Sequence, residues 1–455
     1  MASRVKTVYI HPHFLSTIKE PPPQSTYTRR LAELAHLLAV PFGKQRQYRD
    51  RSLCFKSSED VVSAMTSVLS SLPNITDYHI AWSGLESIRD LPVPILTAPF
   101  GKAGLTRLWM DISLERLSSL LSSESFRGFG RLHELDLFLR VEHPQEEEGE
   151  SFHDILTLLA HSLPCSLTHL SIRLWQPLDL SPLFESLFLP SLTHLKLDIP
   201  LSVPHMGPPK SLGGWISSHS HSLTNLTIRA SQLHGPGYTP LDSSLSIYFR
   251  DLVPEIQLRR LDTLDIGLSH IPFPSALSLI HHLGGGASLK TLSLTGTQLS
   301  FTQLHSLLSS PSLTTLDHLK LGTIGLSVEV LDILSSQIPS LKSLTLFIRD
   351  ILPSQYDVPL WWGGTSGGGQ EESQIDAFLD RVSSPPERYH HWHLETMRIV
   401  RGVPFSFSST SSGGGSTSDA RELGWETMNE RFEIVLRDSI PGLKTVDVGI
   451  GGGPF

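Results

Sequence analysis

The side chains best suited to chemistry in this sequence are its 22 histidines. Two groupings stand out: His390, His391 and His393 in the run YHHWHLE, and His169 with His194, which recur at the same point of a repeating pattern. Zinc needs four protein ligands, or three and a water, usually with partners that fix the rings. No Cys pair and no H-E-x-x-H accompanies these histidines, so they give no metal centre. The run Gly284-Gly285-Gly286 lacks the Lys-Ser/Thr that a phosphate loop requires. No serine nucleophile elbow, kinase set or paired-carboxylate motif occurs. The expectation is therefore no enzyme and no cofactor.

What remains is recognition chemistry. Trp109 lies two residues after Arg107, and in the neighbouring copies of the pattern His79, Glu134 and Asp136 occupy the corresponding places. An indole flanked by guanidinium, imidazole and carboxylates is the composition of a protein-binding hot spot. His169, His194 and Lys196 extend the row. The candidate partner-binding set is thus His79, Arg107, Trp109, Glu134, Asp136, His169, His194 and Lys196. The alternative for Trp109 is that it packs under a neighbouring loop.

These residues need a scaffold that stacks them, and the leucines supply it. In LKTLSLTGTQL, Leu289, Leu292 and Leu294 fall at positions 1, 4 and 6, Thr297 at 9 and Leu299 at 11. That is the spacing of a leucine-rich repeat, a short strand followed by a turn and a helix. The 1-4-6 triplet recurs as Ile75-Tyr78-Ile80, Leu105-Leu108-Met110, Leu132-Leu135-Leu137, Leu167-Leu170-Ile172, Leu192-Leu195-Leu197 and Leu223-Leu226-Ile228. It continues through Leu261, Leu289, Leu316 and Leu341, with weaker copies at Val5, Leu394 and Leu443. Intervals of about 25 to 38 residues are those of a solenoid. The predicted fold is α/β: a horseshoe or arc with parallel concave strands and convex helices.

Alternate residues of a strand face opposite ways, so positions 3, 5 and 7 point to the concave side and stack about 5 Å apart between repeats. Position 7 reads Asp111, Arg173, Asp198 and Arg229, with Phe138 interrupting. It fits cross-strand partners better than a ligand site. The C-terminal half of the face is Ser/Thr-rich. Position 9 carries hydroxyls at Ser83, Ser113, Ser231, Ser269 and Thr297, suited to bonding the turn backbone.

Three regions follow. Residues 1–73 are an opening repeat with capping helices, one of them from Thr28 to Val40 and another from Ser58. Residues 74–351 are the regular repeats, with an acidic loop at His143 to Glu150 and a Pro-rich loop at Pro200 to Lys210. Residues 352–455 are irregular repeats with Gly/Ser-rich linkers at Gly363 to Ser373 and Ser406 to Ser418, a final helix from Asp419 to Arg437 and a fraying end from Gly449.

Hydrophobic residues at 39% and charged residues at 18% fit a folded chain rather than a disordered one. A net charge of −9 argues against nucleic-acid binding, which needs a basic face. No signal-peptide core and no membrane-length apolar run occurs, which implies a cytoplasmic or nuclear protein without membrane contact. Cys54 and Cys165 make no disulfide framework, and Cys165, directly before a repeat core, is expected as a buried reduced thiol.

The triplets, the leucine-rich helices and the Pro/Gly-rich insertions together resemble the leucine-rich-repeat part of fungal F-box-like proteins. In that family an N-terminal F-box docks a ligase adaptor and the repeats present a substrate for ubiquitination. No F-box precedes Val5, and the nearest look-alike, Leu252 to Ile256, runs into the Leu261 strand. The expected function is a non-catalytic protein-interaction scaffold. The resemblance implies as alternative a substrate-recognition subunit of a cullin-type ubiquitin ligase, its adaptor docking through Thr28 to Val40.

Overall fold

The computed structural model describes residues 4–10, 58–82, 93–100, 104–123, 129–142, 149–201, 203, 206–230, 243–267, 271–286, 289–352, 354, 369–385, 387–402 and 430–451. The chain forms two compact units, residues 1–215 with 231–235 and residues 216–230 with 236–455. Each is a parallel sheet whose strands alternate with helices, the α/β leucine-rich-repeat solenoid.

In the first unit β1 (Thr7–Ile10), β2 (Asp77–Ala81), β3 (Arg107–Ser113), β4 (Glu134–Arg140), β5 (His169–Leu174) and β6 (His194–Ile199) pair in chain order. Between them run α1 (Ser58–Ser71), α2 (Val93–Thr97), α3 (Leu114–Leu121), α4 (Gly149–Ser162) and α5 (Ser181–Ser186). Along α6 (Pro209–Ser218) the chain passes into the second unit.

The register is set by the leucines. Tyr78, Leu108, Leu135, Leu170 and Leu195 lie side by side across β2 to β6, as do Ile80, Met110, Leu137, Ile172 and Leu197, and all are buried. A one-residue slip would turn every one of them outward. The helices supply the other wall: Leu114, Leu117, Leu120 and Leu121 of α3 are buried. Tyr78 does what leucine does in the other copies, with one polar addition. Its hydroxyl donates to the Ile95 carbonyl at 2.9 Å, and burial pushes its ionisation far above the usual range.

In the second unit β7 (Asn225–Ala230), β8 (Thr263–Gly267) and β9 (Thr291–Leu299) pair in chain order, then β10 (His318–Leu326), β11 (Ser343–Ile351), β12 (Thr396–Gly402) and β13 (Thr445–Gly451). The intervening helices are α7 (Ser243–Leu252), α8 (Phe273–Gly286), α9 (Phe301–Leu308), α10 (Val328–Gln337) and α11 (Gly369–Val382). Residues 430–439 are also helical. Ser300 and Gln303 form a reciprocal capping box at the start of α9. Leu252 to Ile256 is the end of α7 and a short 3₁₀ turn, with Leu252, Val253 and Ile256 buried.

Several expectations are corrected. Cys165 is exposed, because the turn before β5 directs Leu163 and Leu167 inward and leaves the thiol outside. The stretch expected as a linker to Ser373 is helical from Gly369, since Ile375, Phe378, Leu379 and Val382 of α11 bury one apolar stripe. Gly449 does not begin a frayed end but pairs with Val400 inside β13. In YHHWHLE, Tyr389 and Trp392 turn into the core and the three histidines turn out. Ser113, by contrast, does bond the turn backbone as its position suggested: it caps α3, accepting from the Arg116 N–H at 3.4 Å. The expected helix at 28–40, residues 143–148 of the acidic loop, the 406–418 linker, Cys54, Ser83, Ser231 and Ser269 lie outside the described residues, while Gly149 and Glu150 of that loop open α4.

Candidate functional site

The eight candidate residues all stand on one face of the first unit's sheet, the face turned away from the helices. Two rows cross it. One runs Thr7, Asp77, Arg107, Glu134, His169, His194, and the other Tyr9, His79, Trp109, Asp136, Ser171, Lys196. The sheet brings each set together without help from loops, because positions 3 and 5 of every strand share a register.

The second row opens with stacked rings. Tyr9 and His79 lie 4.3 Å apart between ring centroids, and His79 and Trp109 6.2 Å apart. Trp109 is half-buried and Tyr9 is 65% exposed. Beyond Trp109 the row continues with Asp136, Ser171 and Lys196, all half-buried. Burial among these groups holds the His79 pKa below 6.5, with Arg107 adding to the effect and Asp77 and Asp136 opposing it.

In the first row Arg107 pairs with Asp77. Burial alone would raise the Asp77 carboxyl, but the Thr76 hydroxyl, donating at 2.6 Å, and Arg107 hold it below 3.8. At the far end His169 and His194 stack at 3.9 Å with their planes 16° apart. Each ring is pinned through Nδ1, 2.9 Å from the hydroxyl of the preceding threonine, Thr168 or Thr193.

Those threonines belong to a row the sequence reading missed. The Thr168 carbonyl accepts from the N–H groups of Thr193 and His194 at 2.9 and 3.0 Å and from the Thr193 hydroxyl at 3.0 Å. Thr106 does the same to the Thr76 carbonyl, and Thr168 to that of His133. Position 2 is where repeats are stitched at the strand entrance, and its signal was legible as a recurrent threonine immediately before position 3. The second unit builds the same position from charges, including Lys290 with Asp262 at 3.3 Å, Lys342 with Asp317 at 2.7 Å and Lys444 with Glu395 at 2.9 Å.

The position-7 row is one of internal partners. Arg173 pairs with Asp198 at 3.3 Å. Asp111 pairs with Arg140, on position 9 of β4, at 3.2 Å. Phe138 does not merely interrupt: Arg140 lies over its ring at 4.7 Å and over Trp175 at 5.2 Å, and Arg173 lies 5.5 Å from Phe138. Tyr9 and this Phe138–Trp175 cluster are site features that leucine spacing alone did not flag.

The equivalent face of the second unit is quieter. Asp265 is paired with Arg229 at 2.5 Å, Arg398 with Asp447 at 3.0 Å, and Lys320 lies 5.1 Å over Phe347. Hydroxyls such as Thr263, Thr291, Ser343 and Thr345 fill the remaining places.

Among the described residues no three His, Cys, Asp or Glu side chains gather as metal ligands, and no helix is long and apolar enough to cross a membrane. No protein-family model matches the sequence, and no curated protein does. Among solved structures, the chain is similar to the crystal structure of the leucine-rich repeat-containing protein LegL7 from Legionella pneumophila. The identity is 12%, the match covers 86% of this chain and 88% of that one, and the TM-score is 0.36.

Proposed function

We propose that the protein is a non-catalytic interaction scaffold that binds a protein partner on the helix-free strand face of its first unit. The observation that supports this best is the row Tyr9–His79–Trp109–Asp136, in which rings and a carboxylate from four successive strands are presented together. Aromatic anchors beside charged groups on a rigid sheet dominate binding energy in protein interfaces. Rigidity comes from the buried leucine ladder beneath, so little ordering cost attaches to association.

The test is affinity purification of the tagged chain from its native cells with mass spectrometry, beside a Trp109→Ala/Arg107→Ala variant. A partner recovered with the native chain and lost with the variant supports the proposal. Equal recovery with both places the interaction elsewhere. Cullin-ligase subunits among the recovered proteins would identify the scaffold as a substrate receptor.

A further inference from the structure

We propose that the partner presents a basic segment to this face, with an arginine or lysine side chain lying on the Trp109 ring and ion-paired to Asp136, Glu134 serving as a second carboxylate. This inference rests on the scaffold reading above. Asp77 is held by Arg107, Asp111 by Arg140 and Asp198 by Arg173. Glu134 and Asp136 are left without an ion pair among the described residues. They are alternate residues of β4, so both face the same way, about 7 Å apart along the strand. Arg107, beside Glu134 in register, is turned to Asp77 on its other side.

The surroundings of Asp136 suit a cation. Trp109 is its register neighbour on one side and Ser171 on the other. The Ser171 oxygen between Asp136 and the next strand is screened from solvent and makes no hydrogen bond among the described residues. An indole face next to a carboxylate attracts a cation through both the ring quadrupole and the ion pair.

The same sheet face already contains a completed version of this arrangement. The Arg140 guanidinium lies over the Phe138 and Trp175 rings and pairs with Asp111. Trp109 and Asp136 reproduce the aromatic and the carboxylate, with no ion pair to Asp136 and no cation over the Trp109 ring among the described residues. Lys196 is in the same row but two strands from Asp136, about 10 Å away. It suits an acidic residue of the partner about three extended positions from the basic one.

The experiment uses the full chain and a fluorescein-labelled nona-arginine peptide, read by anisotropy at physiological salt, with nona-glutamate as counter-probe. The variants are Asp136→Asn, Glu134→Gln and Trp109→Ala. The control is Asp154→Asn, which makes the same charge change at an exposed position of α4. Thermal unfolding establishes that each variant is folded, and Glu134→Gln stands in if Asp136→Asn is not. The expected result is a loss of about tenfold or more in affinity for Asp136→Asn and Trp109→Ala. The control should bind as the native chain does. Equal losses in Asp136→Asn and Asp154→Asn would show bulk charge attraction and overturn the proposal, as would tighter binding of nona-glutamate. A cellular partner captured through Trp109 that still binds Asp136→Asn would sink this inference and leave the scaffold standing. A partner indifferent to Trp109→Ala would sink both.

Discussion

The imidazoles of His169 and His194 stack 3.9 Å apart on adjacent strands, each pinned through Nδ1 to the hydroxyl of the threonine before it. Burial disfavours charge on His194, and His169 beside it adds repulsion that Glu134 only partly opposes, so its pKa falls below 6.5. His79 shifts the same way, chiefly through burial. The unfolded chain then binds more protons than the folded one between 6.5 and the folded values, so stability falls as pH falls through that window. Urea midpoints should therefore drop between about pH 7.5 and about pH 5.5, and His194→Gln should flatten part of the slope. An identical slope in the variant would contradict the assignment.

Tyr78 occupies a leucine position yet donates to the Ile95 carbonyl at full burial. Tyr78→Phe keeps the ring and removes only the donor, which should cost about 1–3 kcal/mol. Chemical unfolding of the full chain measures this. A variant as stable as the native chain would mean the bond contributes nothing.

Leu292 is fully buried, with Leu264 and Leu319 beside it in register. Leu292→Ala should cost about 2–5 kcal/mol through lost transfer energy and an unfilled cavity. Leu292→Asp buries a charge in that ladder and should abolish the cooperative unfolding of the second unit. Circular dichroism melts read both, and an unaltered melt for Leu292→Asp is incompatible with the repeat register.

The strand ladders were legible because leucine at positions 1, 4 and 6 is a direct record of burial: even the weak copies at Val5, Leu394 and Leu443 precede or lie in strands β1, β12 and β13. The face residues followed from alternation alone, since a strand's odd positions cannot point two ways. What spacing could not convey was pairing. Whether Arg107 turns to Asp77 or to Glu134 depends on rotamers and on the Thr76 hydroxyl, which leaves no periodic trace. Phe138 read as a break in a charge row, whereas Arg140 and Arg173 lie over its ring. The position-2 threonines recur in the sequence, but their hydroxyl bonds to carbonyls of the neighbouring strand are not a consequence of leucine spacing. Cys165 was misjudged because adjacency to a core leucine says nothing about which way a turn residue points.

The most direct test of the scaffold account compares partner capture by the native chain, Trp109→Ala and Phe188→Ala, the last removing a 66% exposed aromatic that lies outside the strand face. With all three unfolding alike, the account predicts a partner retained by the native chain and Phe188→Ala and lost by Trp109→Ala. Capture that survives Trp109→Ala in full would contradict it.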